Sequence, residues 1–244
     1  MEIAVLMASG MGTRMKPITD TIPKPLVSIA GKPMIETIID GLVKRGVDKV
    51  VVVVGYLGEQ FEYLEAKYSN LVLINNPVYK TVNNISSLYA AKEYLLCGNC
   101  FICEADLYVS DDSIFRCDFE TSCYYGKFVI GHSDDWLFDL DEQGFITRVG
   151  KVGDDKYNMT GIAYFQKNDA ENLYKALVRE YGKDGYEDLF WDDVVNKHIN
   201  EFKLRVHPVK SGQIVEIDTV HELEFVRRRV KKRESRKIIR DNRS

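Results

Sequence analysis

Five consecutive valines, at positions 50–54, follow Lys49. A strand that is β-branched and apolar at every position has no face to offer water. It therefore belongs inside a parallel sheet that carries helices on both sides. Strand-like and helix-like segments alternate around it: strands at 3–7, 49–54, 71–74 and 100–105, and helices at 34–44, 58–68 and 85–96. That order predicts an α/β fold with a doubly wound, mostly parallel, Rossmann-like sheet. The second half changes character. Residues 123–131, 137–140 and 145–149 read as antiparallel strands, with Asp141-Glu142-Gln143-Gly144 as a hairpin turn. A strand at 163–165, helices at 169–181 and 189–198, and strands at 203–206 and 214–217 follow. Asp218 or Thr219 would cap a last helix. The expected organisation is one domain over residues 1–226, with a nucleotide-binding half to about 120 and an antiparallel acceptor-binding half after it. Residues 227–244 form a basic helical tail or linker.

Charge is unevenly spread. Residues 227–244 carry a balance of +8, and the remainder carries −12. An acidic body is a poor partner for nucleic acid, so none is expected. The tail is left several uses: folding back on the body, meeting a partner subunit in a homodimer, binding an anionic polymer, or leading into a fused second domain. No apolar run approaches the roughly 20 residues of a membrane span, and no secretory leader is evident, so a cytoplasmic protein is expected. Cys97, Cys100 and Cys103 have metal-ligand spacing, but Phe101-Ile102 between them read as strand interior, and no second Cys/His cluster follows. Reduced strand cysteines are expected.

The densest chemistry lies in residues 6–26. Leu6-Met7-Ala8-Ser9-Gly10-Met11-Gly12-Thr13-Arg14 runs from a strand into a loop, and Pro23-Lys24-Pro25-Leu26 follows. Glycines there let backbone N–H groups approach phosphate oxygens with no Cβ in the way. Arg14 supplies a planar, permanently charged fork, and Lys24 a point charge held between prolines. Gly-x-Gly alone would be an ordinary strand-to-loop turn; the whole pattern points to phosphate binding.

This stretch resembles the signature of the sugar-nucleotide and cytidylyl transferase superfamily, Leu-Ala-x-Gly-x-Gly-x-Arg followed by Pro-Lys-x-Leu. Met7 and Ser9 stand where Ala, or Ala and Gly, are common. The resemblance implies a loop around the triphosphate, from Met7, Ala8, Ser9, Gly10, Gly12 and Thr13, with Arg14 and Lys24 on the phosphates. It also implies a Mg²⁺ site. Asp106 in Glu104-Ala105-Asp106 and Asp218 in Glu216-Ile217-Asp218 both end strands at the sheet edge where such folds bind ligands. Their alternative use is as helix N-caps. Asn84 and Ser87, opening a helix, fall where the family reads the base, and their side chains suit cytosine.

A narrower resemblance is to bacterial choline-phosphate cytidylyltransferases. It rests on Val54-Gly55-Tyr56-Leu57-x-Glu59-Gln60-Phe61, Asn83-Asn84-x-x-Ser87-Leu88-Tyr89, Asp188-Leu189-Phe190-Trp191-Asp192 and Glu216-Ile217-Asp218. In that group aromatic rings and a carboxylate enclose a quaternary ammonium, and the matching positions are Trp136, Phe190 and Asp192. Phe190 stands where Tyr is expected. Trp191 reads as packing, and Asp134, Asp135, Asp139, Asp188 and Asp193 as an acidic rim. Lys151 lies where sugar-using relatives hold the acceptor phosphate.

The implied reaction uses CTP and a small cationic phosphate or phosphonate. An acceptor oxygen attacks the α-phosphorus and pyrophosphate leaves. The nucleophile is already anionic near neutral pH, so no general base is required. The four histidines accordingly receive no role. Phosphocholine is the first acceptor expected, 2-aminoethylphosphonate or phosphoethanolamine the second, and a sugar 1-phosphate the third. A glycosyltransferase would lack the Arg14 and Lys24 loop, and a nucleotide sensor would have no need of the paired carboxylates.

Overall fold

The structure is a computed structural model that describes residues 1–241, with side chains to residue 232. In chain order its elements are β1 (Glu2–Ala8), β2 (Ser28–Ile29), β3 (Lys32–Pro33), α1 (Met34–Arg45), β4 (Lys49–Val54), α2 (Tyr63–Lys67), β5 (Leu71–Asn75) and α3 (Ile85–Ala90). Then come β6 (Asn99–Glu104), β7 (Leu107–Val109), β8 (Ser122–Leu140), β9 (Ile146–Phe165), α4 (Lys167–Glu180), α5 (Trp191–Lys197), β10 (Leu204–Pro208), β11 (Ile214–Glu216) and α6 (Val220–Asp241).

Seven strands form one sheet in the order β10-β8-β9-β6-β1-β4-β5. β1 pairs in parallel with β4 and β6, and β4 with β5, whereas β9 runs antiparallel to both β6 and β8. The valine run behaves as its composition requires. Val50, Val52 and Val54 pack in one core with Ile35, Ile38 and Phe101, while Val51 and Val53 pack in the other with Ile85, Leu88 and Leu177. Burying such a side chain contributes about 1.5–3 kcal/mol, so this strand anchors both layers. Each core draws residues from before and after position 120. Cys100 and Cys103 fall in opposite cores, and all five cysteines are free. A shared metal is thereby ruled out for that pair.

The chain leaves β1 toward β4 and β5, then returns to β6 on the other side. The order reverses between β1 and β6, which opens a crevice at their carboxyl ends.

Several expected elements differ in detail. The helix expected at 58–68 is a 3₁₀ turn, Gly58–Phe61, followed by the short α2. This segment is tied to a loop rather than left to its own period: the Tyr56 hydroxyl donates to Thr19 O (2.8 Å), and Gln60 Nε2 donates to Thr21 O (2.9 Å). The helix expected at 85–96 likewise divides into α3 and a 3₁₀ segment, Lys92–Leu96. The short strands expected at 123–149 are parts of the long, bent β8 and β9. Leu137 pairs with both Gly150 and Asn158, and Phe138 with both Val149 and Tyr157. Positive φ at Gly131, Val152 and Asp155 marks the bends. The distal half of this hairpin is thus a small antiparallel lobe standing over the crevice.

Thr219, not Asp218, caps α6. Its hydroxyl accepts from Glu222 N–H (3.2 Å), and Glu222 Oε2 accepts from Thr219 N–H (2.9 Å), closing a capping box. Arg227 donates to Ser28 O at the start of the basic stretch. Residues 242–244 of the expected tail lie outside the described residues, and no helix among the described residues is long and apolar enough to cross a membrane.

Candidate active site

A cleft of about 590 Å³ opens at the β1–β6 crevice, roofed by the β8–β9 lobe. Every residue expected from the sequence to hold phosphate, base, metal or acceptor borders it: Met7, Ala8, Ser9, Gly10, Gly12, Thr13, Arg14, Lys24, Asn84, Ser87, Asp106, Trp136, Lys151, Phe190, Asp192 and Asp218. Residues far apart in the chain reach one cavity because β1, β6 and the loop after β11 all end there.

At the floor, Lys24 Nζ donates to Asp106 Oδ2 and to Asp218 Oδ1, each at 2.6 Å. Its side chain is only 8% exposed. Burial acts to lower the Lys24 pKa, but the two carboxylates outweigh it and the pKa is raised. Burial likewise pushes Asp218 up, and Lys24 followed by Arg14 brings it below the usual carboxylate range. Arg14 Nη2 lies 2.8 Å from Asp218 and is 70% exposed, so this pair adds little to folding and the guanidinium is open to a ligand. Neither aspartate caps a helix, because Thr219 caps α6 and Asp106 leads directly into β7.

Gly12 is bound to this floor by sterics. Its φ is +59°, and a Cβ there would stand 2.9 Å from Lys24 Cβ and 3.2 Å from Thr19 Cγ2. Gly10, by contrast, has nothing within 4 Å of such a Cβ and faces open space.

Two further carboxyls escaped the sequence reading. Glu104 and Glu216 border the cleft behind the aspartates. Burial first, and then Asp106, pushes Glu104 well above the carboxylate range and Glu216 up to about 7. The signal was present as two Glu-x-Asp triplets at strand ends, since positions i and i+2 share a face of a strand. Gly161, with φ +77°, leaves room for Glu104, whose Oε2 would lie 2.7 Å from a Cβ there.

The wall facing α3 is a polar network. Asn76 Nδ2 donates to the Ser86 and Ser87 hydroxyls (2.9 and 3.2 Å), Ser87 donates to Ser9 Oγ (3.2 Å), and Ser9 donates to Val53 O (3.1 Å). Ser87 is thus engaged in fixing the loop. Asn84 lines the cavity, and its Oδ1 accepts from the Trp191 backbone N–H (2.9 Å).

At the opposite end the Trp136 and Phe190 rings meet edge to face, with centroids 5.7 Å apart. Lys151 Nζ stands 5.1 Å from the Trp136 centroid and 5.6 Å from that of Phe190. Asp192 is 2% exposed, accepts from the Tyr124 hydroxyl (3.1 Å), and is pushed by burial up to about 8. Trp191 is core: it is 3% exposed and stacks on Tyr124.

A model of the family described as nucleotidyl transferase matches residues 3–125. Over 220 residues the chain is 53% identical to a 2-aminoethylphosphonate cytidylyltransferase from Lancefieldella rimae, covering 90% of this chain and 89% of that one. The chain belongs to the nucleotidyl transferase family. It is 32% identical over 225 residues to a choline-phosphate cytidylyltransferase from Streptococcus pneumoniae, covering 90% of this chain and 94% of that one. Among solved structures, a CTP:phosphocholine cytidylyltransferase from Streptococcus pneumoniae superposes with a TM-score of 0.87 at 29% identity, over 94% of this chain and 99% of that one. The likeness to bacterial choline-phosphate enzymes, and the enzyme class it implies, are borne out.

The acidic rim of this nucleotidyltransferase is smaller than expected. Asp134 and Asp135 are exposed and border the cleft. Asp139 pairs instead with Arg148 and Lys156, and Asp193 caps α5 by accepting from Phe190 N–H (2.9 Å). Both are held by neighbours, so neither is free to face a ligand. Asp188 is exposed but does not border the cleft.

Proposed function

We propose that this enzyme transfers CMP from CTP to 2-aminoethylphosphonate and releases pyrophosphate. The observation that carries this choice of acceptor is the 53% identity, across nine-tenths of the chain, to a relative bearing that name, against 32% for one named for choline phosphate. Phosphocholine, the acceptor expected from the sequence, therefore ranks second, and a sugar 1-phosphate third.

In this reading one phosphonate oxygen forms a bond to the α-phosphorus of CTP. The bond from that phosphorus to the oxygen bridging the β-phosphate breaks, and pyrophosphate carries the electron pair away. The attacking oxygen already bears charge, so no side chain has to remove a proton. Ala8, Ser9, Gly10, Gly12 and Thr13 present backbone to the triphosphate, Arg14 and Lys24 neutralise it, and Asn84 offers its amide to the base. Trp136, Lys151, Phe190 and Asp192 surround the acceptor.

The Asp106 and Asp218 carboxylates converge on the Lys24 ammonium at the cleft floor, and in this reading the oxygens they leave free would hold a Mg²⁺ ion together with substrate phosphates. One or two carboxylates with substrate phosphates are the usual donor set of this ion. When bound, Mg²⁺ supplies Lewis-acid neutralisation of phosphoryl charge.

The test is pyrophosphate release from CTP with 2-aminoethylphosphonate, phosphocholine, phosphoethanolamine and glucose 1-phosphate in parallel. The phosphonate is expected to give the highest kcat/KM, and a higher value for phosphocholine or the sugar would overturn the choice. With the phosphonate as acceptor, CTP is expected to exceed dTTP and GTP in kcat/KM by about a hundredfold or more, because a mismatched base leaves buried polar groups unpaired. Equal values would remove the cytidylyl reading.

A further inference from the structure

The corner between Trp136 and Phe190 has the form of a cation site, and a cation of the chain itself occupies it. Trp136 and Lys151 are directly opposed across the β8–β9 ladder, so the hairpin register delivers the Lys151 ammonium to the two rings. It lies within about 6 Å of both ring centroids, the range over which a ring face attracts a cation. The Lys151 backbone is held as well: its carbonyl accepts from Arg148 Nη1 at 3.2 Å. The carboxylates bordering the same end of the cleft, Asp134, Asp135 and Asp192, are left without that ammonium as an ion-pair partner.

These two kinds of site discriminate between ammonium ions. A trimethylammonium group has no N–H to donate and depends on ring faces. A primary ammonium has three N–H donors and is served by carboxylates. We propose that Lys151 is a specificity-determining residue: its ammonium fills the Trp136–Phe190 corner, denies that corner to methylated ammonium groups, and leaves only the hydrogen-bonding carboxylates for the acceptor's amine. This rests on the aminoalkyl reading of the acceptor end. It differs from phosphate binding by Lys151, which would serve every acceptor alike.

The experiment measures tetramethylammonium binding by Trp fluorescence and calorimetry in the native enzyme, Lys151→Ala, Lys151→Arg and the double variant Lys151→Ala/Trp136→Ala. This readout does not depend on which acceptor is the natural one. Lys151→Ala is expected to bind the ion about fivefold or more tightly than the native enzyme, Lys151→Arg to resemble the native enzyme, and the double variant to lose the gain. In turnover, the ratio of kcat/KM for 2-aminoethylphosphonate to that for phosphocholine should fall about tenfold in Lys151→Ala. Unchanged tetramethylammonium affinity in a folded Lys151→Ala, or equal losses for both acceptors, overturns the proposal. A native enzyme inactive on 2-aminoethylphosphonate sinks the acceptor assignment instead and leaves the binding result to decide on Lys151. The residue is exposed, so its replacement should not disturb folding.

Discussion

Asp106→Ala is expected to lower kcat about a hundredfold or more, a loss near 3 kcal/mol in transition-state stabilisation, while the protein stays folded. Asp106 lies at the mouth of β6, outside both apolar cores, and its side chain is 29% exposed. Lys24 would keep Asp218 as a partner, so the buried ammonium is not abandoned. The large effect comes instead from removing a fixed negative charge at the point where the proposed Mg²⁺ and the triphosphate meet. Pyrophosphate release and circular dichroism on the same preparation check both halves. A folded variant that keeps more than a tenth of native kcat would show that Asp106 is not part of the reacting centre.

Asp192 should make acceptor binding strongly pH-dependent. Burial raises its carboxyl to about 8, against the opposing hydrogen bond from Tyr124. Below that value the free enzyme holds the proton, yet the ionised form is the one that attracts an ammonium. Binding must then expel a proton, so KM for the aminoalkyl acceptor is expected to fall as pH rises from 6 to 8, by up to about tenfold per unit, and to level off above. The same shift has a stability consequence of opposite direction. The folded pKa lies above the unfolded one, so the contribution of Asp192 to stability is greatest below about 4 and is lost as pH rises through about 8. Asp192→Asn should flatten both trends. A phosphonate acceptor, as proposed above, itself titrates in part of this range, so the difference between native and variant profiles is what counts. Superimposable profiles would mean that Asp192 does not receive the amine.

Those expectations trace back to what the chain discloses before it folds. The central sheet was legible because residues 50–54 leave no polar face, and the crevice followed from strand order. Residues 6–26 were legible because two glycines, an arginine and a proline-bracketed lysine have few other uses in that order. The bent hairpin was not. Its two strands, 19 and 20 residues long, each run through what periodicity divided into shorter pieces, because Gly131, Val152 and Asp155 turn the chain without ending it. Such bends depend on pairing with a distant strand. Glu104 and Glu216 were passed over because a glutamate two places before an aspartate reads as solvent-facing until the cleft that both border is known. The placement of Lys151 on the rings needed the cross-strand register with Trp136, which no local pattern encodes.

The single ammonium at the cleft floor has one more consequence. Lys24 joins a carboxylate 82 positions away to another 194 positions away. It closes the chain like a clasp, tying the loop after the first strand to the segment that enters the last helix. A catalytic centre fastened in this way cannot assemble until residues from 24 to 218 have found their places, so a partly folded enzyme holds no half-built site. The clasp also makes distant segments answer to one another. Amides in residues 12–26 and 214–218 should exchange with deuterium in concert, and Lys24→Met should let the two segments open independently. If they already exchange independently in the native protein, the site is held together by its cores alone.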